Sequence, residues 1–182
     1  NGDPHPGNYL FHGDGRVTFI DFGLVKHFSD SEMRTFIGMV KAAAFDRDMA
    51  DFRRIVEAAG MLRPGCPASD RDVGEYFSQF YEAVRDDRTI TWSSDYSSRI
   101  VRHTFDRTSP IAQYATVPKA FVFIQRINLG LYALLGELHA TGNYRRLAEE
   151  VWPFVQGPPS TPLGREEQPW LATHPTRDVF NS

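Results

Sequence analysis

The chain has 182 residues, with 20 Lys and Arg against 23 Asp and Glu, for a formal charge of −3. With 41% apolar and 24% charged residues it has the make-up of an ordinary globular domain, and its charge balance excludes a nucleic-acid footprint or a polybasic membrane anchor. The one cysteine, Cys66, excludes an internal disulfide framework and a cysteine-based zinc cluster.

Residues 2–8, Gly-Asp-Pro-His-Pro-Gly-Asn, hold two prolines and two glycines and cannot be helix or strand. Tyr9 to Phe11 and Arg16 to Ile20 are short β-prone runs, and the Asp14-Gly15 pair between them signals a hairpin. Asp21-Phe22-Gly23 follows, and then the pattern turns helical. Ser29 and Glu32 fit a capping box before Met33, Phe36, Ile37, Val40 and Ala44 at helical spacing. Further helices are expected over Asp48 to Ala59, Asp70 to Val84, within Asp95 to Phe105, over residues 117–139 and from Tyr144 to Phe154. The stripe Tyr76, Phe77, Phe80 and Tyr81 is expected to be core. Residues 156–182, rich in proline and without a period, are expected to form an irregular surface tail.

The apolar stretch 120–138 has the length of a membrane span. Gln125, Arg126 and Asn128 sit in its middle, however, and a central Arg costs about 2.5–3.5 kcal/mol on an insertion scale. The stretch is therefore expected to be a helix of the core.

The polar residues Asp3, Asn8 and Asp21 carry the chemistry. Asp3 and Asn8 lie five apart on the rigid loop, and Asp21 lies thirteen beyond Asn8. A hairpin returns its second strand to the level where the first began, so Asp21 is expected beside Asn8. Two carboxylates and an amide oxygen then converge. Hard oxygen ligands of this kind suit Mg²⁺, which takes few protein ligands and shares its shell with water and phosphate.

An Asp-x-x-x-x-Asn loop followed by a hairpin and Asp-Phe-Gly is the order found in protein kinases. Gly2-Asp3-Pro4-His5-Pro6-Gly7-Asn8, together with Ile20-Asp21-Phe22-Gly23-Leu24-Val25, resembles the ABC1/UbiB/AarF group of atypical protein-kinase-like proteins. The resemblance is expected to run over about residues 1–155. It implies a mainly α fold, the carboxy-terminal lobe of a protein-kinase-like domain, with a small β-hairpin carrying the metal site. It implies ATP and Mg²⁺ as cofactors and an ATP-dependent phosphotransferase or ATPase activity. Asp3 matches the catalytic-loop aspartate that orients or deprotonates an acceptor or a water. Asn8 and Asp21 match the metal ligands. His5 stands where ordinary kinases have a Lys near the transferred phosphate, and Asn1 where many have a His. Members are linked to ubiquinone and other isoprenoid lipids, which implies a lipid or quinone-precursor substrate, a cytoplasmic location and at most peripheral membrane contact.

The family's Lys–Glu pair, Ala-rich nucleotide loop and Lys-x-Gly-Gln motif are not among these residues, and the chain starts at Asn1 without a Met. The expectation is a piece of a larger protein that lacks its nucleotide-binding amino-terminal lobe and is inactive by itself. Two other readings are weighed. An aminoglycoside/choline phosphotransferase shares an Asp-x-His-x-x-Asn loop, but Pro4 and Phe22-Gly23 argue against it. A non-catalytic, pseudokinase-like module would use the seam around residues 1–25 to bind a partner.

Overall fold

The computed structural model describes residues 1–151, 153–155 and 157–174. The chain is mainly helical and divides into two compact units.

The first unit comprises Asn1–Ser29, Glu57–Pro67 and Thr91–Ala140. It opens with a 3₁₀ turn, Pro6–Asn8, in which Pro6 supplies the fixed φ that a first helical position favours. Strands β1 (Tyr9–Phe11) and β2 (Val17–Phe19) then pair antiparallel, with Tyr9 opposite Phe19 and Phe11 opposite Val17. Gly15 closes the loop between them at φ +86°, where a side chain would be strained. The hairpin leaves Leu10, Phe11, Phe19 and Ile20 about half exposed, and Phe22 beyond it is 63% exposed.

Trp92 forms the centre of this unit, stacked on Tyr132 at 4.6 Å between centroids and met edge-on by Tyr96. Ile100, Leu62 and Leu134 are buried with it. Two helices carry most of these residues. The first, Ser94–Thr104, is capped by Ser93, whose hydroxyl accepts the Tyr96 N–H. The second, Lys119–Glu137, is the long helix expected over 117–139. They approach closely at Gly136, where a Cβ would run into Ser97 Oγ and the Ser93 carbonyl. There the Ser97 hydroxyl donates to the Tyr132 carbonyl at 2.6 Å. Among the described residues no helix is long and apolar enough to cross a membrane.

The second unit comprises Asp30–Val56, Ala68–Ile90 and the chain from Thr141 onward. In chain order its helices precede and follow those of the first unit. Among the described residues the α-helices run, in chain order, α1 (Asp30–Val40), α2 (Met49–Ala58), α3 (Asp70–Phe77), α4 (Glu82–Arg85), α5 (Ser94–Thr104), α6 (Lys119–Glu137), α7 (Tyr144–Ala148) and α8 (Pro162–Thr173). A π-helical turn, Lys41–Phe45, extends α1 and buries Ala42, Ala43 and Ala44. Phe52, Val56 and Val73 are fully buried. Gly74 of α3 lies against Met49, leaving no room for a Cβ. Arg145 of α7 lies over the Phe45 ring and donates to the Ala44 carbonyl at 2.8 Å, which fixes the end of the π turn.

Three expectations are corrected. The helix expected over Asp70 to Val84 breaks at a 3₁₀ turn, Ser78–Tyr81, before α4. Tyr76, Phe77, Phe80 and Tyr81 still face inward and are partly buried, Tyr81 lying edge-on to the buried Phe52 with its hydroxyl's pKa pushed up by burial, while Val73 and Ala83 take the deepest positions. The helix expected from Tyr144 to Phe154 ends at Ala148, and Trp152 of that span lies outside the described residues. The segment expected as an irregular tail contains α8. Thr161 caps that helix and Pro162 occupies its first turn. Gln156 and residues 175–182 of the expected tail lie outside the described residues.

Glu150 explains why α8 forms. Its carboxylate accepts from the backbone N–H and hydroxyl of both Ser160 and Thr161, at the start of the helix. The Thr161 hydroxyl above all holds its pKa down to about 2, from an ordinary 4.5. A carboxyl with a depressed folded pKa contributes its full stability above the unfolded value and loses it as pH falls through the folded one. The Ser160 and Thr161 amide resonances should therefore shift with a midpoint well below 4.5, near 2. Glu150→Gln should abolish that titration and loosen α8 at neutral pH.

Candidate functional site

All four residues singled out from sequence lie in the first unit, and the backbone gathers them. The Ile20 N–H donates to the Asn8 carbonyl at 3.1 Å, extending the hairpin one pair beyond its strands. Asp21 is thereby delivered to the level of the loop. The Gly2 N–H donates to the Leu24 carbonyl at 2.8 Å, tying the loop's start to the segment after Asp-Phe-Gly. Between these ties sits Asn1. Its Oδ1 accepts the Asp3 N–H at 2.9 Å and its Nδ2 donates to the Asp21 carbonyl at 2.8 Å. One amide side chain thus fastens the loop that carries Asp3 to the strand end that carries Asp21.

Asp3 is held on both carboxylate oxygens. Asn8 Nδ2 donates to Oδ2 at 3.2 Å and to the Asp3 carbonyl at 3.0 Å. Arg126 Nη2, from α6, donates to Oδ1 at 2.7 Å, while Arg126 Nε donates to the Gly2 carbonyl at 3.1 Å. The Arg126 hydrogen bond holds the Asp3 carboxyl below the usual carboxylate range, against a smaller opposing effect of burial. The Asp3 side chain is 35% exposed and that of Arg126 57%, so the pair fixes a position more than it stabilises the fold. Beside it, burial first and the Asp3 charge second raise the Tyr9 hydroxyl's pKa.

The two remaining polar side chains keep one oxygen each. Because Asn8 turns its Nδ2 toward Asp3, its Oδ1 faces away from those bonds. Asp21 Oδ1 accepts the Gly23 N–H at 2.6 Å, leaving Oδ2 uncommitted. Gly23 suits that turn because a Cβ there would lie 3.1 Å from Asp21 Oδ1. His5 Nδ1 accepts the Gly7 N–H at 3.0 Å, so the proton of the neutral ring belongs on the exposed Nε2. Among the described residues no three His, Cys, Asp or Glu side chains form a metal cluster. An amide oxygen and one carboxylate oxygen are instead the sparse, hard donor set that fits Mg²⁺.

Residues 1–56 match the ABC1 atypical kinase-like domain. Within residues 1–56 the chain is similar to that family. Loop, hairpin, Asp-Phe-Gly and helix α1 lie within that segment, as does most of α2, and their order is that of a kinase-like carboxy-terminal lobe. No curated protein matches the chain.

Arg126 and Gly130 take part in the site's geometry without having been assigned a part in it from sequence. Arg126 lies outside the ABC1 match and 123 residues from Asp3. Its signal was nonetheless present, as a cation in the middle of an apolar helix, which needs a partner. Gly130 lies one helical turn beyond Arg126, against the Pro4 ring. A Cβ at Gly130 would fall well inside contact distance of Pro4 Cγ. The Gly130→Ala variant should displace the loop and destabilise the fold by about 1–3 kcal/mol, as overpacking does. Thermal unfolding and the chemical shifts of residues 2–8 check it.

Proposed function

We propose that the ABC1 segment serves ATP- and Mg²⁺-dependent phosphoryl transfer or ATP hydrolysis. The observation that carries this reading is the free oxygen left on each of Asn8 and Asp21, beside a fully held Asp3. Asn8 Oδ1 and Asp21 Oδ2 would hold Mg²⁺. The ion supplies charge neutralisation on the triphosphate oxygens. Asp3, ionised and fixed on both oxygens, orients an acceptor hydroxyl or a water. The His5 Nε2–H donates to an anionic oxygen entering the site. Phosphoryl transfer needs positioning and electrostatics more than covalent help, and these residues offer both. The family's link to ubiquinone and other isoprenoid lipids supports a substrate of that class and peripheral membrane contact.

Titration of the chain with Mg·ATP, followed calorimetrically, tests the metal ligands. Asp21→Ala and Asn8→Ala should each weaken binding by about tenfold or more, since each removes one of only two protein ligands. Unchanged affinity in both variants overturns the assignment.

The second reading is a binding module. The exposed Leu10, Phe11, Phe19, Ile20 and Phe22 favour it, because a cluster of large apolar side chains on one hairpin marks an interaction surface. On this reading the hairpin is covered by another polypeptide, and the isolated chain self-associates through it. Light scattering across a concentration series should then show assembly that Phe11→Ser with Phe22→Ser abolishes. A monomer at every concentration counts against it.

A further inference from the structure

A carboxylate beside a divalent-cation site is normally recruited by the cation, since each added negative ligand strengthens the attraction. Asp3 is such a carboxylate. Its Oδ2 shares a hydrogen bond with Asn8, one of the two residues that would hold the ion. The acceptor-orienting role needs Asp3 to stay out of the metal shell, so something must hold it back.

Arg126 is placed to do so. It sits on α6, a rigid element of 19 residues, and reaches the loop with two separate donors. Nε grips the Gly2 carbonyl and Nη2 grips Asp3 Oδ1, so the guanidinium is fixed before it meets the carboxylate. One turn along, Gly130 lets Pro4 seat against the same helix face. The loop is therefore clamped to α6 at Gly2, Asp3 and Pro4, on either side of the peptide that aims the carboxylate.

We propose that Arg126 is a positioning residue that withholds Asp3 from the metal ion and reserves it for the acceptor. The inference rests on the Mg²⁺ site at Asn8 and Asp21. It makes a prediction opposite in sign to that of a structural role. Removing a residue that only supports the loop loosens the metal site. Removing one that withholds a carboxylate tightens it, because Asp3 is released as a third ligand.

Mn²⁺ alone is the probe, titrated into the full chain and followed by electron paramagnetic resonance. Arg126→Gln should bind Mn²⁺ about three- to tenfold more tightly than the unaltered chain. Asp3→Asn added to Arg126→Gln should cancel the gain. Arg126→Lys, which keeps a cation next to Asp3, should stay nearer the unaltered chain. If Arg126→Gln does not fold, Arg126→Met, which keeps the aliphatic stem, gives the same comparison. Unchanged or weaker Mn²⁺ binding in a folded Arg126 variant overturns the inference while leaving the metal site standing. Mn²⁺ binding that ignores Asp21→Ala in every background overturns the metal site itself, and the inference with it.

Discussion

The antiparallel register of one small hairpin governs the candidate site. With Tyr9 opposite Phe19, the next pair outward is Asn8 with Ile20, and their backbone hydrogen bond puts Asp21 beside the loop. A shift of one residue would turn Asp21 to the other face and separate it from Asn8. Three residues per strand is little to hold a register. The loop supplies the rest. Pro4 and Pro6 remove backbone freedom, the 3₁₀ turn closes on the His5 carbonyl, and Asn1 spans from the Asp3 N–H to the Asp21 carbonyl. Backbone hydrogen bonds and the Asn1 side chain together fix where Asp3, His5 and Asp21 lie.

Helix α6 supplies what the hairpin cannot. A loop built on short-range bonds sets where Asp3 lies, but not which way its carboxylate points. Arg126 sets that, through a guanidinium anchored at the Gly2 carbonyl. The arrangement also accounts for the composition of α6. Tyr132 and Gly136 pack against Trp92 and α5, while Arg126 and Gly130 face the loop. A cation inside an apolar stretch argues against a membrane span, and its structural partner is the site's own carboxylate.

Local signals made much of the fold legible. The hairpin, the start of α1 just after Ser29, the stop of α2 before Gly60, and the extents of α5 and α6 follow from turn residues, caps and apolar periodicity. The misses have separate physical causes. The α3 stripe continues through Tyr81, yet the backbone tightens into a 3₁₀ turn at Ser78–Tyr81, which apolar periodicity does not signal. The expected helix from Tyr144 stops at Ala148, although a weak apolar pattern continues in the sequence. The Thr161-Pro162 start of α8 was visible as a cap and a first-turn proline, but the proline content around it outweighed the signal. Glu150, eleven residues away, decides that the helix forms there.

Sequence alone determined the identity and order of Asp3, Asn8 and Asp21, their hard-oxygen character and their membership of one hairpin-linked constellation. Those facts depend on residue type and on short chain separations, where turn chemistry and strand alternation suffice. Only the tertiary structure decided which oxygens are already committed and which remain for a ligand. It alone brought Arg126 to Asp3 across 123 residues, a contact that no local periodicity encodes because it depends on where a whole helix packs.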